Sequence, residues 1–160
     1  MLIKTAGYMW NRKYVDWTKR KLIGTAEEGG AGQTVNFAEQ SAVYGLFDSN
    51  HQCVYVGQAG RGESSTLYDR LRSHALEDSL FCLWERFTWF GFYSAKDLQN
   101  EKFADPLTGS VSLAAVLNEF ETVGFYLALP RHNLCSENGF AHVNWYYQAD
   151  EHQELKNAKP

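Results

Sequence analysis

The sequence predicts a compact mixed α+β domain, and three observations carry that expectation. Two short apolar runs, Val43 to Phe47 and Cys53 to Val56, flank a polar Asp48-Ser49-Asn50-His51-Gln52 segment, the pattern of a β-hairpin. The aromatic run from Trp84 to Tyr93 has the composition of a third strand, with apolar residues on both faces. Leu113, Val116, Leu117, Phe120, Gly124 and Leu127 recur at i, i+3, i+4, i+7, i+11 and i+14, the stripe of an amphipathic helix.

Composition bounds the function classes. A chain of 160 residues, 44% hydrophobic and 15% aromatic, has the size and apolar content of one packed domain. A charged fraction of 21% argues against global disorder. No apolar run approaches the roughly 18 residues that span a bilayer, and Met1 to Ala6 lacks the apolar segment of a signal peptide. No membrane association and a cytoplasmic location are therefore expected. The three scattered cysteines, Cys53, Cys82 and Cys135, read as reduced thiols. His51-x-Cys53 and His132-x-x-Cys135 offer four possible zinc ligands, but the one-residue spacing of the first pair is poor for a structural site and Cys53 lies in a strand. A net charge of −4 counts, by itself, against a nucleic-acid partner. Its distribution softens this: Arg12, Lys13, Lys19, Arg20 and Lys21 cluster near the N-terminus, opposed locally only by Asp16. Local patches matter more than the total for phosphate binding.

Each element follows from local pattern. Trp10, Tyr14, Trp17 and Lys21 fall at i, i+4, i+7 and i+11, which predicts an N-terminal helix over about residues 8–22 with its aromatic side on the core. Gly24 and the glycine-rich residues 27–33 end it in a loop, and residues 35–38 are too few to assign. The hairpin places Tyr44 on one strand and Tyr55 on the other, and Gly57 closes the second strand where backbone must come close to something. The glycine-rich loop from Gly57 to Thr66 matches neither a P-loop nor a dinucleotide fingerprint, though its Arg61 is a candidate for touching substrate. Ser64, Ser65 or Thr66 caps a helix over 67–76 with Leu67, Leu71 and Ala75 as its apolar line.

That helix carries the informative pair. Arg70 and His74, four residues apart, share a face. The guanidinium fork suits phosphate oxygens, and an imidazole moves protons near neutral pH. The pair alone also suits an ordinary exposed face. Residues 94–109, with Asp105-Pro106 and Thr108-Gly109 as breakers, read as a surface loop. In the helix opened by Ser110 or Ser112, Glu119 falls about 120° from the stripe centre, on the solvent side, and Glu121 about 80° from it, at the buried edge. A carboxylate held at such an edge suits a metal ligand. Asn138-Gly139 is a turn, residues 140–147 a further strand, and 148–160 a polar tail.

Order and spacing add a resemblance. Ala42-Val43-Tyr44, Tyr55-Val56-Gly57, Arg70-Leu71-Arg72-Ser73-His74, and Glu121 followed by Pro130 and Asn133 resemble the motifs of the GIY-YIG nuclease superfamily over about residues 41–134. Any one is weak; all four in order are specific. Ala42 replaces the family's first glycine, the loop between Gly57 and Arg70 is slightly long, and Gly124 stands where an aliphatic residue is usual. None of these removes a chemical group.

The resemblance implies a small three-stranded antiparallel sheet flanked by helices over residues 41–134. A basic, aromatic helical arm over 1–40 would precede it, and an extension over 135–160 would follow. It implies metal-dependent hydrolysis of DNA phosphodiesters in restriction, repair or anti-phage roles. Glu121 would hold one Mg²⁺ or Mn²⁺, which would stabilise the leaving 3′ oxygen. Arg70 would clamp the scissile phosphate. Tyr44 would orient or deprotonate the attacking water; a free phenol has a pKa near 10, so His74 is the competing base. Tyr55 would hydrogen-bond to phosphate or water, with Gly57, Gln58, Arg61, Arg72 and Asn133 as further substrate-side residues. A homodimer is one way for so small a protein to cut both strands. The alternative expectation is a non-catalytic nucleic-acid-binding or interaction module on the same fold.

Overall fold

A computed structural model of the chain describes residues 2–26, 34–60, 65–76, 80–101, 103, 119, 122–123, 126–127 and 143–149. In chain order these form strand β1 (Thr5–Asn11), a 3-10 turn (Arg12–Tyr14), β2 (Ile23–Ala26), β3 (Thr34–Asn36), β4 (Ala42–Phe47), β5 (Cys53–Ala59), helix α1 (Leu67–Leu76), β6 (Arg86–Gly91), α2 (Ala95–Gln99) and β7 (Asn144–Gln148). All the strands lie in one seven-stranded sheet of order β3-β2-β7-β1-β6-β4-β5. Every pairing is antiparallel except β1 with β7, so the sheet is mixed.

This corrects the expected small three-stranded sheet flanked by helices. β5, β4 and β6 do pair antiparallel, but they are one edge of a larger and mainly β structure. The N-terminal arm is not helical. Its residues supply β1, β2 and β3, and β7 from the C-terminal part inserts between β2 and β1. The helix-like spacing of Trp10, Tyr14, Trp17 and Lys21 is overridden by pairing with segments some 80 and 140 residues away, Trp10 with Phe87 and Ala6 with Trp145. A register shift between Gly7 and Trp10, with Met9 at φ 52°, turns Trp10 to the opposite face from Ala6. There the Trp10 ring meets Phe37, Phe87 and Trp89 edge-on at 5.4–6.0 Å, so it reaches the core from a strand and not from the expected helix.

The sheet is packed on both faces. One face, under α1, holds Trp10, Leu22, Phe37, Tyr44, Leu46, Leu67, Leu71, Trp84 and Trp89. The other holds Ile3, Ala6, Phe47, Phe90, Val123, Leu127 and Val143. Successive residues of β4 alternate between these layers, as a strand requires. Fully buried Gln40 ties the sheet to the chain after β6: its Nε2 donates to Thr5 Oγ1 and to the Tyr93 carbonyl, and its Oε1 accepts from Tyr93 N–H.

Three further expectations change. The predicted loop over 94–109 contains α2, opened by a reciprocal Ser94–Asp97 capping box. Gln148 is not tail but the end of β7, exchanging hydrogen bonds with the Asn11 backbone. Glu119 is not on a solvent face. Helical Glu119, Thr122, Val123, Tyr126 and Leu127 turn inward, and Glu119, 4% exposed, accepts the Leu2 and Ile3 N–H groups through Oε2 at 3.1 and 3.3 Å. Unpaired backbone donors beneath the helix decide that orientation, which apolar periodicity does not register. Residues 27–33, 104–118, 131–142 and 150–160 lie outside the described residues, and with them the expected glycine-rich loop, the start of the Ser110/Ser112 helix, the Asn138-Gly139 turn and the rest of the polar tail.

Candidate active site

The site is built on the edge of the sheet. The hairpin turn forms as its residues dictate: Asp48 Oδ1 accepts from Asn50 and Gln52 N–H at 2.9 and 2.8 Å, and His51 takes φ 61°. The resulting register sets Tyr44 opposite Gly57 and Leu46 opposite Tyr55. Tyr44 and Tyr55 are therefore diagonal neighbours on the α1 side, with ring centroids 6.2 Å apart.

Gly57 is where the close approach occurs. A Cβ there would stand 2.5 Å from the Tyr44 hydroxyl oxygen and 2.7 Å from Tyr55 Cε1. The Tyr44 ring thus crosses the Gly57 backbone in space only glycine leaves open. On the opposite face Gly45 does the same for Leu127, whose Cδ2 would lie 2.5 Å from an added Cβ.

α1 brings the other partners. Its N-terminus is closed by Thr66 and Asp69, each side chain accepting the other's backbone N–H. Arg20 then clasps Asp69 with two guanidinium nitrogens, donates to Thr66 Oγ1 at 3.0 Å and pairs with Glu39 at 2.8 Å. Burial would raise the Asp69 carboxyl, but Arg20 and Thr66 hold it below its ordinary value. At the far end Trp84 Nε1 donates to the His74 carbonyl at 3.3 Å. So fixed, α1 points Leu67 and Leu71 into the core and Arg70 and His74 toward β4 and β5.

The functional groups meet there. Tyr44 Oη lies 2.8 Å from His74 Nε2, with Tyr44 fully buried and His74 5% exposed. The Tyr55 ring packs on the His74 ring at 4.7 Å. Burial pushes the Tyr44 phenol up to about 12, against the opposing pull of the Arg70 guanidinium beside it. Contact with Tyr44 and then Tyr55 pushes Arg70 up in turn. The Arg70 Nε is buried without a hydrogen-bond partner among the described residues. A buried cationic donor with nothing to donate to is the position an anionic oxygen would fill.

The structure thus brings together Tyr44, Tyr55, Gly57, Arg70 and His74. It does not bring in Gln58 or Arg72. Strand alternation puts Gln58 with exposed Val54 and Val56, away from Tyr55. Arg72, about 200° around the helix from Arg70, acts on Tyr68 instead. Arg61, Glu121 and Asn133 lie outside the described residues.

Among the described residues no group of three His, Cys, Asp or Glu side chains comes together to hold a metal. Two phenols, a guanidinium and an imidazole are not the oxygen-rich shell Mg²⁺ takes. The described cluster therefore does not itself fit a divalent ion.

Sequence reading missed the Arg20–Asp69–Thr66 clasp. Its signal was present in Thr66-x-x-Asp69, which is the spacing of a capping box. No helix among the described residues is long and apolar enough to cross a membrane. Comparison with protein-family models, with curated proteins and with solved structures finds no match for this chain.

Proposed function

We propose that the protein is an endonuclease of GIY-YIG type that hydrolyses DNA phosphodiester bonds at the Tyr44–His74 pair. The observation that carries this reading is the 2.8 Å contact between the buried Tyr44 hydroxyl and His74 Nε2, beside an Arg70 Nε with no partner among the described residues. A phenol pushed up to about 12 stays protonated at neutral pH, so Tyr44 is a poor base alone. In this reading it works as a relay. The Tyr44 oxygen takes a proton from the attacking water while its own proton passes to His74 Nε2. The water oxygen bonds to phosphorus, the P–O3′ bond breaks, and the leaving oxygen takes a proton from solvent. Arg70 holds the phosphate oxygens and the charge that develops on them. Tyr55 limits the imidazole to one orientation. One Mg²⁺ or Mn²⁺ held by Glu121 belongs to the proposal on the sequence pattern alone.

A second reading, nucleic-acid binding without cleavage, is favoured by one observation. Tyr44 is 0% exposed, so its hydroxyl has no solvent-facing side from which to take a proton from water.

One experiment separates the two. Supercoiled plasmid is incubated with the native protein, with and without EDTA, and with Tyr44→Phe, His74→Ala and Glu121→Gln variants. The nuclease reading expects nicking that falls about 10²- to 10⁴-fold on loss of Tyr44 or His74, and that stops with EDTA or Glu121→Gln. Binding without nicking by the native protein supports the second reading. No binding at low salt overturns both.

A further inference from the structure

We propose that the turn over residues 16–21, with Lys13, is a second contact surface for the phosphate backbone of the same nucleic acid; this rests on the phosphodiester reading above. Five cations crowd residues 12–21, and the structure divides them into two kinds. Arg12 is committed to the fold: its Nη1 donates to the Trp84 carbonyl at 3.0 Å and its guanidinium lies 5.0 Å over the Trp84 ring. Arg20 is committed to Glu39, Asp69 and Thr66 and lies 5.0 Å over Tyr68. Lys13, Lys19 and Lys21 are exposed, Lys13 Nζ lying 4.6 Å over the neighbouring Tyr14 ring, and none pairs with a carboxylate among the described residues.

The turn that carries Lys19 and Lys21 is rigidly built. Asp16 and Lys21 exchange backbone hydrogen bonds at 3.1 and 3.2 Å. Asp16 Oδ1, the one acidic group within the segment, accepts from Thr18 N, Thr18 Oγ1 and Lys19 N at 2.8–3.0 Å. Arg20 sits at φ 54°. The Trp17 carbonyl accepts from the Tyr68 hydroxyl at 2.6 Å, which seats the turn on α1. Ammonium groups presented on an already ordered turn meet phosphates with no loop-ordering cost. Lysine supplies the point charge for backbone positioning rather than base reading.

The placement suits a duplex. Tyr68 faces the turn, while Arg70, about 200° further round α1, faces the strands. A helix with its side chains is roughly 10–12 Å across, close to the ~12 Å of a DNA major groove. A duplex lying over α1 would place one phosphate line at Arg70 and the other at the lysines. The chain's net charge of −4 gives it no general attraction to polyanions, so such binding must be local.

The test is anisotropy of a labelled DNA duplex titrated with native protein, with a Lys13→Gln/Lys19→Gln/Lys21→Gln variant, and with a Lys4→Gln/Lys96→Gln control, between about 50 and 200 mM salt. All three should melt at the same temperature. Each phosphate contact contributes about 0.9 to the slope of log affinity against log salt. The triple variant should therefore lose roughly 2 to 3 in slope and about tenfold or more in affinity at the low-salt end, while the control matches native. Native binding with an unchanged slope in the triple variant overturns the inference and leaves the nuclease reading standing. A control variant that loses as much slope also overturns it, as does lysine-dependent binding to phosphatidylserine vesicles but not to DNA. Failure of the native protein to bind the duplex overturns both readings together.

Discussion

Gly57→Ala is the sharpest single test of the site. The added Cβ would lie 2.5 Å from Tyr44 Oη, 2.6 Å from Tyr44 Cζ and 2.7 Å from Tyr55 Cε1. All three are well inside carbon contact distances of about 3.5–4.0 Å. Tyr55 is half-buried and has room to yield. Tyr44 has none, being fully buried under α1 and hydrogen-bonded to His74. Relief therefore needs about 1 Å of movement in the Tyr44 ring or in strand β5. Overpacking of this kind costs about 1–3 kcal/mol, and a displacement near 1 Å at a reacting group costs about 10²-fold in rate. Gly45→Ala is the matched comparison, because its clash is with the end of the Leu127 side chain on the other face. It should cost up to a similar stability and leave cleavage unchanged. Urea unfolding reads the first quantity and plasmid nicking the second, at a temperature where both variants are folded. A Gly57→Ala protein of native stability would refute the packing argument, and one equally active as native would refute the role given to the Tyr44 hydroxyl.

Burial raises the Tyr44 phenol from 10.0 to about 12, so between those values the native state keeps a proton the unfolded chain has released. Stability should fall by up to roughly 3 kcal/mol as pH rises through that window, and urea unfolding of Tyr44→Phe should show a shallower fall. Arg20→Ala removes charged hydrogen bonds that are partly exposed, so a loss of about 1–2 kcal/mol is expected, read as a lower melting temperature. Because Asp69 is held below its ordinary pKa, that difference should persist at neutral pH and shrink as acid protonates the carboxyl. Gln40→Ala strands the Tyr93 backbone and opens a buried space, with an expected cost of about 2–4 kcal/mol by urea titration. Glu119→Ala should cost about 1–3 kcal/mol without changing cleavage, whereas Glu121→Gln should abolish cleavage without changing stability. The reverse pattern would exchange the roles given to the two glutamates.

The hairpin, α1 and the third strand were legible because their signals are local: turn residues at Asp48 to Gln52, a cap among Ser64, Ser65 and Thr66, and period-specific apolar spacing. The four-residue offset placed Arg70 and His74 on one helix face, but only the GIY-YIG resemblance grouped them with Tyr44 and Tyr55, and their meeting depends on α1 packing over β4 and β5. Gly57 was legible as a close approach, though what approaches it, the Tyr44 ring, emerged only in three dimensions. The rest depended on partners far along the chain. β1 is a strand because β6 and β7 lie on either side of it, and no window around Trp10 contains them. Glu119 turns inward because two unpaired backbone N–H groups at Leu2 and Ile3 need an acceptor. Arg20 stops being a free cation because Asp69 and Glu39 converge on it. In each case the deciding energy is a hydrogen bond or a packed ring between residues separated by 19 or more positions, and such contacts exist only once the sheet has assembled.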